Sequence, residues 1–506
     1  MPKAPLNARM AVLAAVCAVA APVALATASS GAAAHATPAG VVRTLPSQTA
    51  TVRVGGAAAV APTPTGHGFL GIATSLSTIP GMSGPPSDLD TPFIQLLRNL
   101  SPGAPVLLRL GGNTADNSWW PIRGVKPPRH LYKLSRKWAA RVHALLSAVG
   151  GKAIIGVNLD LGPKLDPRIA RAEVADFDHY LGRSRIDAFE LGNEPELLPL
   201  SVAQAGGQGG VTIAAYGELF SDVASQLGGA PLAGPSSQGP AFLDSLSTVL
   251  SDLPSRLKLV TVHTYPLKHC SQAVSLSMSD FFTSASIEGL ADSVHAMVEV
   301  AAAHGKPLRV DEINGITCGG AAGLSNSFGE ALWALNVLPA LWQAGVQGVN
   351  FQSIYGDHNQ VIHASRSNHV WTVSVEPEYY GLLAFAQATP AGSHLLSIST
   401  PDLAGFYQFA ARAPDGSERV VLTNVGSAAR TVGVTASGAH GSGSLALLSA
   451  RSLSATGGTT LAGQRLSSRT GELTGTPRQT TVAPNAGGVY AVRVPAHAAA
   501  ILTLST

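Results

Sequence analysis

Two short stretches of the chain end apolar runs with carboxylates. Phe189-Glu190-Leu191-Gly192-Asn193-Glu194-Pro195-Glu196 starts like a buried strand and closes on a Glu between Asn193 and Pro195. Leu308-Arg309-Val310-Asp311-Glu312 does the same, and Ile313-Asn314-Gly315 opens the loop behind it. A carboxylic acid can give its proton to a leaving oxygen, and a carboxylate can attack an electrophilic carbon or take a proton back. Two such groups about 5 Å apart perform both steps at an acetal carbon, which is double displacement. A single Glu at a strand end is ordinarily a solvated loop residue; two at matched strand tips change that reading.

The neighbours of each Glu follow from the pleat. In an extended segment Glu190 and Glu194 share a face and Asn193 points the other way. Pro195 removes a backbone donor and helps stop the strand. Asp311, of opposite parity to Glu312, is expected to face helices or solvent. Glu190 sits deeper and needs a buried cation, because an unpaired buried charge is costly. Arg109, late in an earlier apolar run, is the candidate. Arg109 could instead touch the attacking carboxylate and keep it ionised.

Short apolar runs alternate with helical patterns from about residue 66. They lie at 68–73, 106–110, 153–159, 186–191, 231–234, 257–262, 308–311 and 346–351. Ser135–Val149, Ala215–Leu227 and Leu290–Ala303 read as helices between them. Ser327 and Glu330 have capping-box spacing ahead of another, in which Pro339 predicts a kink or an early end. Eight strands alternating with helices predict an α/β fold, a (β/α)8 TIM barrel over 66–388, with a doubly wound sheet as the alternative. No Gly-rich dinucleotide fingerprint follows the first run to favour the alternative. In such a barrel Glu194 ends strand four and Glu312 ends strand seven, on opposite sides of one mouth.

The pattern then changes. Between 389 and 506, Gly, Ser and Thr separate short alternating runs, which predict an appended antiparallel β-sandwich. Residues 37–65 read as a linker with one short strand at Thr51–Val54 that could join the sandwich. Residues 1–36 read as a signal peptide: Lys3 and Arg9 precede an apolar run, and small residues follow. An uncleaved anchor is the alternative. The expected location is secreted or periplasmic, with no membrane contact after cleavage, since no later segment is long and apolar enough to span a bilayer.

Composition narrows the function classes. Hydrophobic residues make up 45% and charged residues 12%, enough apolar content to fill large cores. Net charge is +3, with no long Lys or Arg run, so nucleic acid is not an expected partner. Cys270 and Cys318 would remain after cleavage, and oxidising surroundings favour a disulfide between them over two inert thiols. No His or Cys stands at ligand spacing from them, so no metal and no cofactor are expected.

The two carboxylate stretches resemble those of the large clan of retaining (β/α)8 glycoside hydrolases. Further stretches narrow the resemblance to family 79, the β-glucuronidases and heparanases. They are Leu108–Asp116, Val262-His263-Thr264-Tyr265-Pro266, Cys318-Gly319-Gly320, Phe328–Leu335, Gly345–Phe351 and Pro377–Leu383. The resemblance covers roughly 65–390 well and the C-terminal part more loosely. It implies Glu194 as acid/base, Glu312 as nucleophile and Asn193 on the sugar 2-hydroxyl. Tyr265 would lie near the nucleophile, with His263 supporting. Asn113 and Asp116 would contact sugar hydroxyls. Backbone N–H groups around Gly319 and Gly320, with Tyr355, would take a uronate carboxylate, and a Cys270–Cys318 bridge would tie two of these loops together. The implied partner is a carbohydrate or glycoside. This chain departs from the family after strand one, where Thr74-Ser75-Leu76-Ser77 replaces a carboxylate or aromatic grip. A neutral sugar therefore remains an alternative substrate, and a non-catalytic carbohydrate-binding protein an alternative of another class.

Overall fold

The computed structural model describes residues 50–57, 68–125, 131–159, 167–197, 211–253, 255–271, 273–400 and 403–506. The signal-like segment and most of the 37–65 linker lie outside them. Eight parallel strands close a barrel in chain order. They are β1 (Leu70–Ser75), β2 (Leu107–Gly111), β3 (Lys152–Val157), β4 (Ile186–Leu191), β5 (Leu232–Ser237), β6 (Leu257–Thr264), β7 (Leu308–Ile313) and β8 (Val349–Gln352). Helices cover their outer faces, so nearly every strand residue is buried. That double burial is why these strands read as continuous apolar runs instead of alternating ones.

The barrel interior is layered by parity. Leu107, Ile154, Ala188, Ala233 and Leu259 form one small apolar layer of their own. Several inward positions above it, two or four residues further along their strands, carry polar groups toward the C-terminal mouth. Arg109 stands two beyond Leu107, Glu190 two beyond Ala188, and His263 four beyond Leu259. The polar floor of the site is therefore continuous with the apolar packing beneath it.

The surrounding helices follow their sequence signals with two exceptions. Arg136–Val149 buries Trp138, Val142, Leu145 and Leu146 on one face. The Ser135 side chain accepts from the Trp138 N–H at 3.3 Å, and Gly150 closes the helix in the left-handed region. Phe328–Gln343 continues past Pro339 without ending early, because burial on almost every side holds it in place. Its expected capping box is not formed. Ser327 makes no side-chain cap, and Glu330 instead accepts the Gly315 N–H at 2.8 Å. The pull of an unsatisfied buried amide outweighs the local cap.

Ten of the other described strands form a sheet that folds over on itself around a second core, and the rest pair in short two-stranded ribbons. That core includes Val52, Val54, Phe406, Leu422, Val434, Tyr490, Val492 and Leu502. Thr51–Ala57 belongs to this sheet. It pairs antiparallel with His394–Ser399 and parallel with Arg430–Ala436, the one parallel contact in an otherwise antiparallel arrangement. The sheet docks on the barrel through helices Phe328–Gln343 and Pro377–Ala388, where Phe385 and Phe409 lie with ring centroids 5.9 Å apart. Among the described residues no helix is long and apolar enough to cross a membrane.

Candidate active site

The tip of β4 is built under strain. Glu194 has φ 45°, a left-handed backbone that only glycine adopts freely. It is held there by its N–H, which donates to Ser236 O at 2.9 Å, near the end of β5. The preceding amide of Asn193 donates to Asp116 Oδ2 at 2.9 Å. Non-glycine residues in this region persist where surroundings over-determine them, and they cluster at functional sites. The result turns the Glu194 side chain into the barrel mouth, 6% exposed.

On β7 the register slips between Val310 and Glu312 relative to β6, and again relative to β8. Such a bulge re-aims side chains locally. Arg309 and Asp311 keep the regular inward parity, and the bulge brings Glu312 inward as well. The expectation that Asp311 faces outward is therefore corrected: it is fully buried inside the barrel.

One guanidinium organises the floor. Arg109 donates to Glu190 Oε2 at 2.8 Å, to Glu312 Oε2 at 2.7 Å, to Asn193 Oδ1 at 2.7 Å and to Ser236 Oγ at 3.0 Å. Both options left open for Arg109 thus occur together. Gly111 and Gly112 give it room: a Cβ at Gly111 would stand 3.3 Å from its Nε. The second oxygen of Glu312 accepts from Tyr265 Oη at 2.7 Å. Burial works against a charged Glu312, but His263, Arg109 and the Tyr265 bond outweigh it and lower its carboxyl below the usual range. Glu312 is thus a carboxylate across the neutral and mildly acidic range.

His263 lies between the two acids. Its Nδ1 is 2.9 Å from Glu194 Oε1 and 3.9 Å from Glu312 Oε1, and its Nε2 is 2.9 Å from Ser236 Oγ. Burial favours the neutral ring, yet Glu312, the Glu194 bond and Asp311 raise it to about 9. One ligating atom each from Glu194, His263 and Glu312 lies within 4.8 Å of the others. Three of the four carboxylate oxygens of this trio accept from Tyr265, Arg109 and His263, an arrangement suited to handling protons.

Two measurable consequences follow. Tyr265→Phe removes one of the donors that hold Glu312 ionised, so its pKa rises toward 4.5, the ordinary value. The acidic limb of kcat/KM is expected to move up by about one pH unit in a pH–rate profile. His263 has a folded-state pKa above its ordinary 6.5, so its contribution to stability is complete below 6.5 and lost as pH rises through about 9. Buried Glu330, raised from 4.5 to about 8 by burial, acts in the same direction. Thermal melts are expected to show a higher Tm at pH 5.5 than at pH 9, by about 5 °C or more.

Other expected contacts divide. Asn113 is exposed at the mouth, and its Oδ1 accepts from Asn193 Nδ2 at 3.1 Å. Asp116 is not placed for sugar hydroxyls. It is buried, and its oxygens accept the backbone N–H groups of Leu159 and Asn193, both at 2.9 Å, so it ties the β3 and β4 loops together. Cys270 and Cys318 are bridged. The β6 and β7 loops are also laced by Thr317 N–H to Leu267 O at 2.9 Å and His269 N–H to Thr317 Oγ1 at 3.0 Å. Gly319 and Gly320 both have φ 82°. The Gly320 N–H is spent on Thr317 O, and His358 N–H binds Gly319 O at 2.8 Å. Tyr355 is 77% exposed on the β8 loop.

Three residues escape sequence reasoning. Ser236 lies near the end of the weakest strand, Asp311 is hidden by the bulge that turns Glu312 inward beside it, and Asp357 sits in a loop without any local signal. The Asp357 carboxyl packs on Gly319, 3.2 Å from where a Cβ would stand. Burial raises it above the usual range, and the charge of Glu312 adds to that.

No family model matches the sequence, and no curated protein does. The fold, a (β/α)8 barrel with an appended β-domain, is nevertheless shared with solved structures of glycoside hydrolases. A 4-O-α-L-rhamnosyl-β-D-glucuronidase from Fusarium oxysporum superposes with a TM-score of 0.73 at 19% identity, covering 90% of this chain and 100% of that one. A family 51 arabinofuranosidase from Xanthomonas axonopodis pv. citri gives 0.59 at 14% identity, covering 90% and 100%. A family 30 subfamily 8 xylanase from Clostridium acetobutylicum gives 0.54 at 14%, covering 91% and 100%.

Proposed function

We propose that the protein is an exported, exo-acting retaining glycoside hydrolase that cleaves β-glucuronides. The observation that carries the reading is the close approach of Glu194 and Glu312, with carboxylate oxygens within 4.8 Å, in the range of retaining enzymes. Glu312 Oε attacks the anomeric carbon, and Glu194 protonates the departing glycosidic oxygen. A glycosyl ester forms on Glu312. Glu194, now a carboxylate, takes a proton from water, whose oxygen displaces Glu312 and leaves the β-anomer. Negative charge moves from Glu312 to Glu194 in the first step and back in the second. His263, hydrogen-bonded to one and 3.9 Å from the other, remains beside it throughout. Asn193 takes the sugar 2-hydroxyl, and Asn113 and Tyr355 line the mouth.

The uronide is supported by the family resemblance and by the substrate named for the Fusarium neighbour. A neutral sugar is the second reading, favoured by Asp357: an acid packed on Gly319 is a poor neighbour for an ionised C5 carboxylate. Release of nitrophenol from matched β-glucuronide, β-glucoside, β-galactoside and β-xyloside separates them. Turnover is expected on the glucuronide, with the β-anomer seen first by proton NMR. Turnover confined to a neutral glycoside would discard the uronide and keep the mechanism. First appearance of the α-anomer would discard the mechanism.

A further inference from the structure

The double displacement leaves one carboxyl at the site unused. Asp311 is fully buried beside Glu312. Its Oδ2 lies 3.5 Å from Arg109 Nε and its Oδ1 3.7 Å from His263 Nε2, both beyond good hydrogen-bond length. As a carboxylate, Asp311 has no hydrogen-bond partner at either oxygen, and Glu190 Oε1 has none either. Three acceptors without donors in a dry interior are expensive. One proton on Asp311, donated to Glu190, pairs two of the three and leaves a neutral carboxyl in place of a buried anion.

The charges facing Asp311 favour that arrangement. Glu190 comes from β4, Arg109 from β2 and His263 from β6, with Glu312 next on its own strand. Arg309, two residues below, is bound to Asn350 Oδ1 and to the Phe69 carbonyl. Around the nucleophile, Arg109 and His263 then balance Glu190 and Glu312 without a further anion. Burial first, then the Glu190 charge and their shared bond, hold the Asp311 carboxyl well above its usual range. Burial would also raise Glu190, but Arg109 and the Asp311 bond overcome it and lower it.

We propose that Asp311 is a positioning residue: it keeps a proton, donates it to Glu190, and so fixes Glu190 against Arg109 while the Arg109 Nη1 is left for Glu312. The proposal rests on Glu312 being the nucleophile. It assigns a purpose to the adjacent acids on β7, one inward by parity and neutral, the other inward by the bulge and charged.

The test compares Asp311→Asn with Asp311→Ala on the glycoside that the wild type turns over. An amide donates to Glu190 as the acid does and carries the same charge. Asp311→Asn is therefore expected to keep kcat/KM within about tenfold of wild type, with the acidic limb displaced by no more than about 0.3 pH unit. Asp311→Ala leaves Glu190 without its donor and is expected to lose about a hundredfold. An ionised Asp311 predicts otherwise: removing its charge would lower the Glu312 pKa and shift the acidic limb down by about one unit. That shift, or an Asn variant as impaired as the Ala variant, overturns the proposal.

Should Asp311→Asn not fold, Glu190→Gln reads the same point. Because Asp311 acts through Glu190, Asp311→Ala is expected to cost at least about tenfold less in a Glu190→Gln background than in the wild type. An undiminished loss overturns the proposal. Failure of the nucleophile assignment shows separately, as a near-wild-type rate in Glu312→Gln whatever the Asp311 variants do.

Discussion

Glu312→Gln is expected to lower kcat by about five orders of magnitude, which is about 7 kcal/mol of transition-state stabilisation. An amide oxygen at this position is a far weaker nucleophile, and the covalent intermediate does not form. Substrate binding is expected to persist, because Asn193, Asn113 and Tyr265 remain in place. The fold is expected to persist too, since Arg109 keeps Glu190 and Asn193 as partners. Steady-state rates on the active nitrophenyl glycoside, alongside a thermal melt, make the check. Residual turnover above about 1% of wild type would remove Glu312 from the nucleophile role. A 2-deoxy-2-fluoro glycoside supplies the positive counterpart: the mass of the peptide carrying Glu312 should rise by one fluorosugar.

Glu194→Ala is expected to separate the two halves of the reaction. Glycosides with poor leaving groups need the proton and should lose about three to four orders of magnitude in kcat/KM. Dinitrophenyl glycosides barely need it, and their loss should stay within about a hundredfold. With the base missing, hydrolysis of the glycosyl ester becomes slow and the intermediate accumulates. Azide can then enter the space left by the side chain and attack the anomeric carbon while Glu312 departs. Its product should be the β-glycosyl azide. An α-azide, or equal losses on both leaving groups, would assign Glu194 a different role.

Much of this arrangement was legible because burial and periodicity act on every strand alike. Both faces of each barrel strand are covered, so each strand had to be an apolar run. A polar residue inside a run, such as Arg109 or Glu190, then needed a reason. Strand tips are also where a chain must turn, and Asn-Glu-Pro marked one clearly. What stayed hidden depends on departures of a single residue. A slip in register between Val310 and Glu312 leaves no trace in residue type, so strict alternation placed Asp311 outside when it is inside. Asp116 reads the same whether it meets a sugar or two backbone amides. Asp357 is brought to Gly319 only by the path of the β8 loop. Tertiary partners likewise decided Glu330, whose helix-capping signal was genuine but weaker than the buried Gly315 amide.

Thr51–Ala57 lies inside the second sheet and not at its edge, with Arg53 opposite Ser399 on one side and Thr435 on the other. The first described strand of the chain is therefore completed only by strands that follow the whole barrel in sequence. While the barrel forms, this strand must wait unpaired, and assembly of the sheet is a late event that gathers segments from either side of the barrel in sequence. The same geometry governs any attempt to divide the protein. A fragment starting at the barrel would carry a sheet with its middle strand missing and two raw edges open to other chains. The two architectures are thus inseparable as pieces of sequence, although each has its own core.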